Sequence, residues 1–438
     1  MALTEIRPVS GRLEFRRFID YAYERNAGDP HWIPPLRMAE HERLTPKKNP
    51  FFAHADVELL LAWRDGRIAG RIAAIDDRLH HDTHHDQVAM FGFFEAEDAD
   101  AARALLGAVE TWARARGRAI VRGPINPSLN ESAGLLVDGF DSDPMLMMPH
   151  NPPEYGAHIE SAGYRKVKDL FAWLYDLDGE PPAVIGRLAA RLRERQRITV
   201  RPLNLREFTR EVERLRVIYC GAWERNWGFV APTEAEFRRL ASELRPIFDP
   251  RCAVCAEVDG RPVACAIAIP DINQALKGTN GRLLPLGLFR LLFRARYVNQ
   301  MRLLLLGVDA AYRSLGLYPL LLFELHRQVQ GGPYRRAEFS WVLEDNRDIN
   351  QPAEMAGAAR YKTYRIYEKR LEPLSTPPVA QAVTHVAQAV THVAQAVTHV
   401  AQAVTHVAQA VTHVAQAVTH VTQAVTQVAQ AFRPAIVG

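Results

Sequence analysis

The dipeptide Asp-Gly stands twice between apolar runs, and these two sites constrain the fold more than any other feature of the chain. Arg64-Asp65-Gly66 separates VELLLAW from RIAGRIAAI, and Asp259-Gly260-Arg261 separates CAVCAEV from VACAIAI. A tight turn joining two naturally twisted strands needs positive φ at both central residues, which Asp-Gly accommodates, so each site predicts a β-hairpin. The same order of elements follows each hairpin. In the first half VAMFGFF reads as a strand, and 101–116 as a helix opened by Asp98 and Asp100 and closed by Gly117. AIVRGPI is the next strand, and a short helix then leads to VKDLFAWLYDL. In the second half LLLLGV reads as a strand, 316–329 as a helix, AEFSWV as a strand, 346–358 as a helix and YRIYEKRL as the final strand. A basic helix over 185–197, the strand ITVRPL, a helix over 207–223 and another over 233–244 precede the second hairpin. The last of these carries a capping box, Thr233 with Glu236. Two successive units of this kind predict a duplicated α+β fold with a mixed sheet. Residues 1–180 and 181–372 are its halves, and the boundary lies near Gly179-Glu180-Pro181-Pro182.

Residues 373–438 are different in kind. AQAVTHV repeats in register from Ala380 to Val421, after the linker Ser375-Thr376-Pro377-Pro378. Val383, Val386, Val390 and Val393 alternate at three- and four-residue spacing, the seam of a heptad helix suited to self-association or membrane contact. A perfect repeat at a terminus reads equally as a tolerated expansion, and no charged residue lies between Glu372 and Arg433.

The formal net charge of the 438 residues is +4. So mild an excess points away from nucleic acid and suits an anionic cofactor or a membrane surface. The charge is concentrated: Arg187, Arg191, Arg193, Arg195, Arg197 and Arg201 share one stretch. The start of the chain, MALTEIRPVSGRLEFRRF, has no apolar signal core, and no run reaches the ~18 apolar residues of a membrane span, so a cytoplasmic location is expected. Cys252 and Cys255 are spaced as C-x-x-C, but three residues apart on a strand they face opposite sides and cannot share a metal. His80, His81, His84 and His85 crowd what reads as an exposed loop, and no metal is expected there.

Chemistry concentrates in LLLLGVDAAYRSLGLYPLLLFELHRQV. A strand runs into a loop holding Arg313, Ser314 and Gly316, and a helix starts at once. Helix N-terminal amides beside a residue without a side chain make a pyrophosphate site, and Arg313 adds a planar cation. This order resembles the acyl-CoA motif of the GNAT superfamily, a strand, then Arg-x-x-Gly-x-Gly/Ala, then a helix. Arg313, Gly316 and Tyr318 take the three places, and Tyr318 departs from the small residue usual there. The resemblance implies backbone contacts from Gly307 and Val308 to pantetheine, and a cofactor-side role for Asn346 in SWVLEDNRDIN. It also implies a thiolate-protonating acid among Tyr361, Tyr364 and Tyr367. The departure at Tyr318 keeps acyl carrier protein open as an alternative to acyl-CoA.

Acyl transfer to an amine needs a base, an oxyanion donor and an acid for the thiolate. Asp271, at the end of VACAIAIP, and Glu344 are the candidate bases, and each also reads as a solvated strand-end carboxylate. The Val308 N–H is the candidate oxyanion donor, and Tyr361 or Tyr364 the acid. The first half has no Arg-x-x-Gly loop. Its strand leads to Glu95, Glu97 and Asp98, which repel phosphate, so it reads as a degenerate half that shapes the acceptor site. There Asn126, Ser128, Asn130 and Glu131 suit an amino-alcohol headgroup, although Asn and Ser also make turns. GRLLPLGLFRLLFRARYVNQMR, with Arg290, Arg294 and Arg296, reads as an interfacial helix or an acyl lid, or as a core helix with snorkelling arginines.

The order of FGFFE, GPINPSLNESAGLL, NWGF (226–229), PDINQAL (270–276) and YRIYEKRL resembles a family of tandem GNAT-like proteins over residues 1–372. That family includes the bacterial ceramide synthase, which N-acylates a sphingoid base. The resemblance implies an acyl-CoA-dependent N-acyltransferase acting on a lipid amine, with contact to a membrane face. A short-chain N-acetyltransferase and a non-catalytic binding protein of the same fold are the alternatives.

Overall fold

Both Asp-Gly turns form. Asp65 and Asp259 have φ of 49°, and Gly66 and Gly260 have φ of 76°, the left-handed pair that matches strand twist. The computed structural model describes residues 3–195, 198–282, 287–372, 395, 409 and 411–424. The first half runs β1 (Glu5–Pro8), α1 (Gly11–Arg25), α2 (Arg37–Arg43), β2 (Ala55–Arg64), β3 (Arg67–Asp77), α3 (Arg78–His84), β4 (Val88–Ala96) and α4 (Ala99–Ala115). It continues with β5 (Ile120–Gly123), the short β6 (Ile125–Asn126) and β7 (Ser132–Ala133), β8 (Leu135–Asp138), α5 (Tyr155–Ser161) and β9 (Arg165–Asp176). The second half opens with α6 (Ala183–Arg195), β10 (Ile198–Pro202), α7 (Phe208–Trp223) and α8 (Glu234–Leu244). Then follow β11 (Ala253–Val258), β12 (Arg261–Pro270), α9 (Asn273–Leu276), α10 (Gly287–Arg294) and β13 (Gln300–Val308). The order ends with α11 (Tyr318–Val329), β14 (Arg336–Leu343), α12 (Arg347–Met355) and β15 (Ala359–Arg370).

Capping residues start the helices where the sequence places them. The Asp98 side chain accepts from Ala101 N at 2.9 Å, and Thr233 and Glu236 close a full capping box on α8. The histidine segment differs from its expected form. It is helix α3, capped by Asp77, with His80 buried and paired to Asp86 and with His81 held by Asp76 at 2.6 Å. These partners turn an apparent loop into packed structure.

All strands but β6 and β7 join one 13-stranded sheet, in the order β1-β2-β3-β4-β5-β15-β9-β14-β13-β12-β11-β10, with β8 beside β15. The order shows an exchange. β15, the last strand of the second half, pairs with β5 of the first (Tyr367↔Gly123), and β9, the last strand of the first half, pairs with β14 of the second (Phe339↔Trp173). Each exchanged strand covers an edge the other half would otherwise leave unpaired, and residues Met1–Leu371 form one compact unit.

Helices cover both faces of the second-half sheet. Leu320, Leu321 and Leu325 of α11 pack with Val254, Val263 and Cys252 on one face. Leu215 and Ile218 of α7 pack with Cys255, Cys265 and Leu305 on the other. Cys252 ends a 3-10 turn (Pro250–Cys252) just before β11 rather than lying on the strand, and it packs on the side opposite Cys255. Glu372–Gly438 form a separate unit. Its described part includes a helix over 411–424 with Val411, Val414, Val418 and Val421 exposed. Arg197, Val383, Val386, Val390 and Val393 lie outside the described residues.

Candidate active site

β13 and β14 run parallel and pair from Gln300↔Arg336 to Leu303↔Phe339, where their pairing ends, although β13 continues to Val308 and β14 to Leu343. Each stays bonded to its outer neighbour. β13 follows β12 as far as Ala264↔Val308, and β14 follows β9 through a register slip between Phe339 and Val342. The two strands therefore splay. Buried backbone amides and carbonyls almost always find partners, so the freed edges suit a ligand that carries amides of its own. The gap opens into a cavity of about 810 Å³. Leu303–Leu306 and Phe339–Leu343 form its base, Phe208, Val212 and Leu215 of α7 one wall, and Phe237, Leu240 and Leu244 of α8 another.

The loop after β13 borders this cavity, and Arg313, Gly316, Tyr318 and Asn346 all line it. Gly316 adopts φ 68° and ψ 43°, and a Cβ there would meet nothing within 4 Å. The first amides of α11 have no partner within the helix, and Pro319 lacks the N–H that would be idle there. Two details correct the expected geometry. Arg313 Nη2 donates to the carbonyls of Gly221 (2.8 Å) and Ala222 (3.0 Å), so it locks the loop to the C-terminal pole of α7. The Gly316 amide is bonded to Arg313 O at 3.1 Å and Leu317 is wholly buried, so of the amides that open α11 it is that of Tyr318 that sits on a cavity-lining residue. Arg347 lines the cavity as an exposed cation; the sequence reading passed over it. Ser314 is exposed on the same loop.

Gly307 and Val308 lie outside the cavity lining. A Cβ on Gly307 would come within 2.9 Å of Trp223 and 3.1 Å of Ala222. Its smallness lets α7 pack against β13, and Val308 is wholly buried in the core.

Below the splay is a cluster of buried polar groups that the sequence reading missed. Arg302 and Ser340 line the cavity, and Glu338 lies behind them at 0% exposure. Arg302 Nε donates to Ser340 Oγ at 2.7 Å, its Nη2 to Ser340 O at 3.2 Å and its Nη1 to Leu146 O at 2.9 Å. Ser340 Oγ and the Tyr361 hydroxyl each donate to Glu338. Burial pulls the Arg302 guanidinium down, against the opposing charge of Glu338. A sequence signal existed, since Arg302 and Glu338 are charged residues inside apolar strands, where unpaired burial is rare.

The four proposed catalytic residues separate. The Tyr361 hydroxyl belongs to this cluster. Asp271 is buried behind the cavity, accepting from Leu146 N at 2.9 Å; burial and the charge of Glu338 push its carboxyl up to about 7, against the pull of that amide. Tyr364 is sealed in the core, and its hydroxyl has no hydrogen-bond partner among the described residues. Glu344 faces β9, held by Lys166 Nζ (2.7 Å) and Asp169 N (3.1 Å) away from the lining. Tyr367 bonds Glu160 at 3.2 Å.

From the first half, Ser128, Asn130 and Glu131 reach the cavity wall. Asn130 Nδ2 donates to Val230 O at 2.9 Å, and its Oδ1 accepts from the Tyr219 hydroxyl at 2.8 Å, tying the loop to the second half. Ser128 Oγ accepts from Asn130 N at 3.2 Å. Burial pushes the Glu131 carboxyl up, while Arg43 at 3.2 Å and Arg239 at 3.7 Å draw it down. Asn126 lies outside the lining. Its Oδ1 accepts from Phe93 N at 2.6 Å and secures a backbone turn at φ 50°. Where β4 meets α4, Glu95 is buried, accepting from the Tyr155 hydroxyl at 2.8 Å and Asn26 at 3.2 Å. A buried carboxylate in that place disfavours phosphate.

No family model matches the sequence. The chain is 40% identical over 372 residues to the bacterial ceramide synthase of Caulobacter vibrioides (strain NA1000 / CB15N), a match spanning 83% of this chain and 97% of that protein. It is 35% identical over 376 residues to protein YghO of Escherichia coli (strain K12), spanning 84% and 95%. A solved fungal multi-domain GH3 beta-N-acetylglucosaminidase, with a GCN5-related glucosamine N-acetyltransferase region, aligns at 13% identity and a TM-score of 0.51. That alignment spans 84% of this chain and 38% of the other, and bears on the fold alone.

Proposed function

Because the chain belongs to the tandem GNAT-like acyltransferase family that includes the bacterial ceramide synthase, and is on that ground an N-acyltransferase, we propose that it moves a long acyl chain from acyl-CoA to the amine of a sphingoid-type lipid. The observation that carries this reading is the cavity between the splayed strands. Its volume of about 810 Å³ lies in the upper part of the ~300–1,000 Å³ range of ligand pockets. Its walls on α7 and α8 are largely aliphatic and aromatic. Each methylene buried there adds up to about 0.8 kcal/mol, so such a pocket favours long chains over acetyl.

In this reading residues 181–372 hold the thioester and residues 1–180 shape the acceptor side. The amides opening α11, with Arg347 and Asn346 nearby, receive the diphosphate. The free edges of β13 and β14 meet the amides of pantetheine. Ser128, Asn130 and Glu131 border the acceptor, Glu131 being suited to an ammonium or a hydroxyl.

No described helix is long and apolar enough to cross a membrane. The acceptor lipid is reached instead from the bilayer surface. Phe289, Phe293 and Tyr297 on and after α10 are 70%, 60% and 68% exposed, and Arg282 and Arg296, near them in the chain, are exposed too. No acidic residue lies between Asp271 and Asp309. Aromatic and basic side chains together favour an anionic bilayer face.

The test is amide formation by the full chain from a series of acyl-CoAs, acetyl to stearoyl, with a long-chain amino alcohol, read by product mass. Rates should rise with chain length until the cavity is filled. Rates that are flat or highest for acetyl overturn the long-chain reading. The same acyl groups on acyl carrier protein decide the carrier: a clear preference for that thioester removes CoA from the assignment.

A further inference from the structure

We propose that Ser340 is the proton-transfer residue of the reaction, with Glu338 as the proton acceptor behind it and Arg302 and Tyr361 as positioning residues. The proposal rests on the acyltransferase reading and deepens it.

A serine hydroxyl has one proton to donate and two lone pairs. The proton of Ser340 Oγ goes to Glu338, and one lone pair accepts from Arg302 Nε at 2.7 Å. One lone pair is left, on a residue that lines the cavity. An ammonium N–H is the donor such a lone pair takes. Glu338 is fully buried and is absent from the lining, so a proton from the cavity reaches it through Ser340. Its other oxygen accepts from Tyr361, which fixes the carboxylate plane. Arg302 makes three hydrogen bonds and lies 3.8 Å from Glu338, holding Oγ in place and balancing the buried charge.

Position supports the same role. Arg302↔Glu338 is the pair just before the final one, Leu303↔Phe339, at which the strands part. The cluster therefore lies at the closed end of the splay, and the diphosphate loop lies past Val308 at the open end. The splayed run between them spans about 17 Å at ~3.3 Å per residue, a distance a pantetheine arm covers. The thioester carbon then arrives beside Ser340. A buried ion pair is seldom the most stable filling for a core; one that leads through a hydroxyl to a cavity has a chemical use.

The ammonium gives one proton to Ser340 Oγ while the Ser340 proton passes to Glu338. The freed nitrogen lone pair forms the C–N bond, and the C–S bond breaks with its electrons on sulfur. The second nitrogen proton goes to that sulfur, and Glu338 releases its proton to solvent before the next turnover. One thioester and one ammonium yield one amide, one thiol and one proton.

The test compares the parent full chain with Ser340→Ala, Ser340→Thr and Glu338→Gln, using one long-chain acyl-CoA and two nucleophiles. These are a long-chain primary amine, cationic at pH 7, and a long-chain O-alkylhydroxylamine, neutral at pH 7. With the amine, kcat should fall about 10²–10⁴-fold in Ser340→Ala and Glu338→Gln, with KM for the thioester unchanged. The deficit should shrink at least tenfold with the neutral nucleophile, and Ser340→Thr should keep most of the rate. Should Glu338→Gln not fold, Ser340→Ala decides alone. Parental turnover in Ser340→Ala, or an equal deficit with both nucleophiles, overturns the relay and leaves the acyltransferase reading intact. A parent that forms no amide from any thioester removes both.

Discussion

Arg302 and Glu338 oppose each other across the parallel strands β13 and β14, with Nε and Oε1 3.8 Å apart and exposures of 3% and 0%. They mark the point from which the sheet opens. Arg302 also reaches Leu146 O in the first half, and Asp271 accepts from the amide of that same residue. The segment around Leu146 is thereby stitched to the second half behind the cavity, where Lys362 donates to Ser142 O at 2.7 Å and Asn273 to Pro144 O at 2.9 Å.

Removing one member of such a pair leaves a buried charge without its partner. Arg302→Met is expected to destabilise the fold by about 3–5 kcal/mol, read as a lower denaturant midpoint at unchanged slope. Arg302→Lys should recover little of this, since three separate contacts use the guanidinium fork. A lysine variant as stable as the parent would remove the geometric argument.

Chain-length preference should respond to the α7 wall. Leu215 is 7% exposed and lines the cavity, so Leu215→Trp adds bulk where the proposed acyl chain would lie. The expected result is a shift of product toward shorter acyl groups, each lost methylene contact being worth up to about fourfold. Competition among mixed acyl-CoAs measures it, and an unchanged product distribution counts against an acyl chain along α7.

Arg313→Ala releases the loop proposed to hold the diphosphate from the end of α7. Hydrogen bonds from a charged donor are worth ~1.5–3 kcal/mol. KM for acyl-CoA should therefore rise roughly tenfold or more, with little change in kcat. A fall in kcat at constant KM would show that the loop acts on the chemical step instead.

His54 carries a pH dependence of stability. Its Nδ1 is 2.8 Å from Asp77, and its Nε2 is 3.3 Å from Glu236 of α8. Burial disfavours the imidazolium, but the two carboxylates outweigh it and raise the group to about 9. The folded value lies above the ordinary ~6.5. The stabilisation is therefore complete below about pH 6.5 and is lost as pH rises through about 9. The denaturation midpoint should drop across that window in the parent, and His54→Gln should flatten the drop. Identical slopes in the two proteins would assign it elsewhere.

Membrane docking through α10 predicts co-sedimentation with vesicles rich in anionic lipid and weak binding to zwitterionic ones, with the difference shrinking in high salt. Phe289→Ser with Phe293→Ser should reduce binding and slow turnover of a vesicle-borne acceptor, while sparing a water-soluble amine. Equal loss on both acceptors would mean the helix serves the fold.

Local signals carried much of the structure into view. The two Asp-Gly hairpins, the Asp98 and Thr233 caps, the Arg313–Gly316 loop, Asn346 and the 128–131 loop all depend on residues within a few positions of one another. Backbone conformation and helix starts are settled at that range, so the sequence by itself determined the repeated order of elements and the loops that border the cavity. It did not determine which strands become neighbours. β15 beside β5 and β9 beside β14 join residues far apart in the chain, and many apolar strands pair equally well in isolation. That pairing, with its registers, turned Glu344 toward Lys166, sealed Tyr364 in the core, set Gly307 under Trp223 and brought Arg302, Glu338 and Ser340 together. With a side-chain period of two, a one-residue change in register moves every side chain to the opposite face. The tertiary structure alone therefore decided which charged residues meet the cavity.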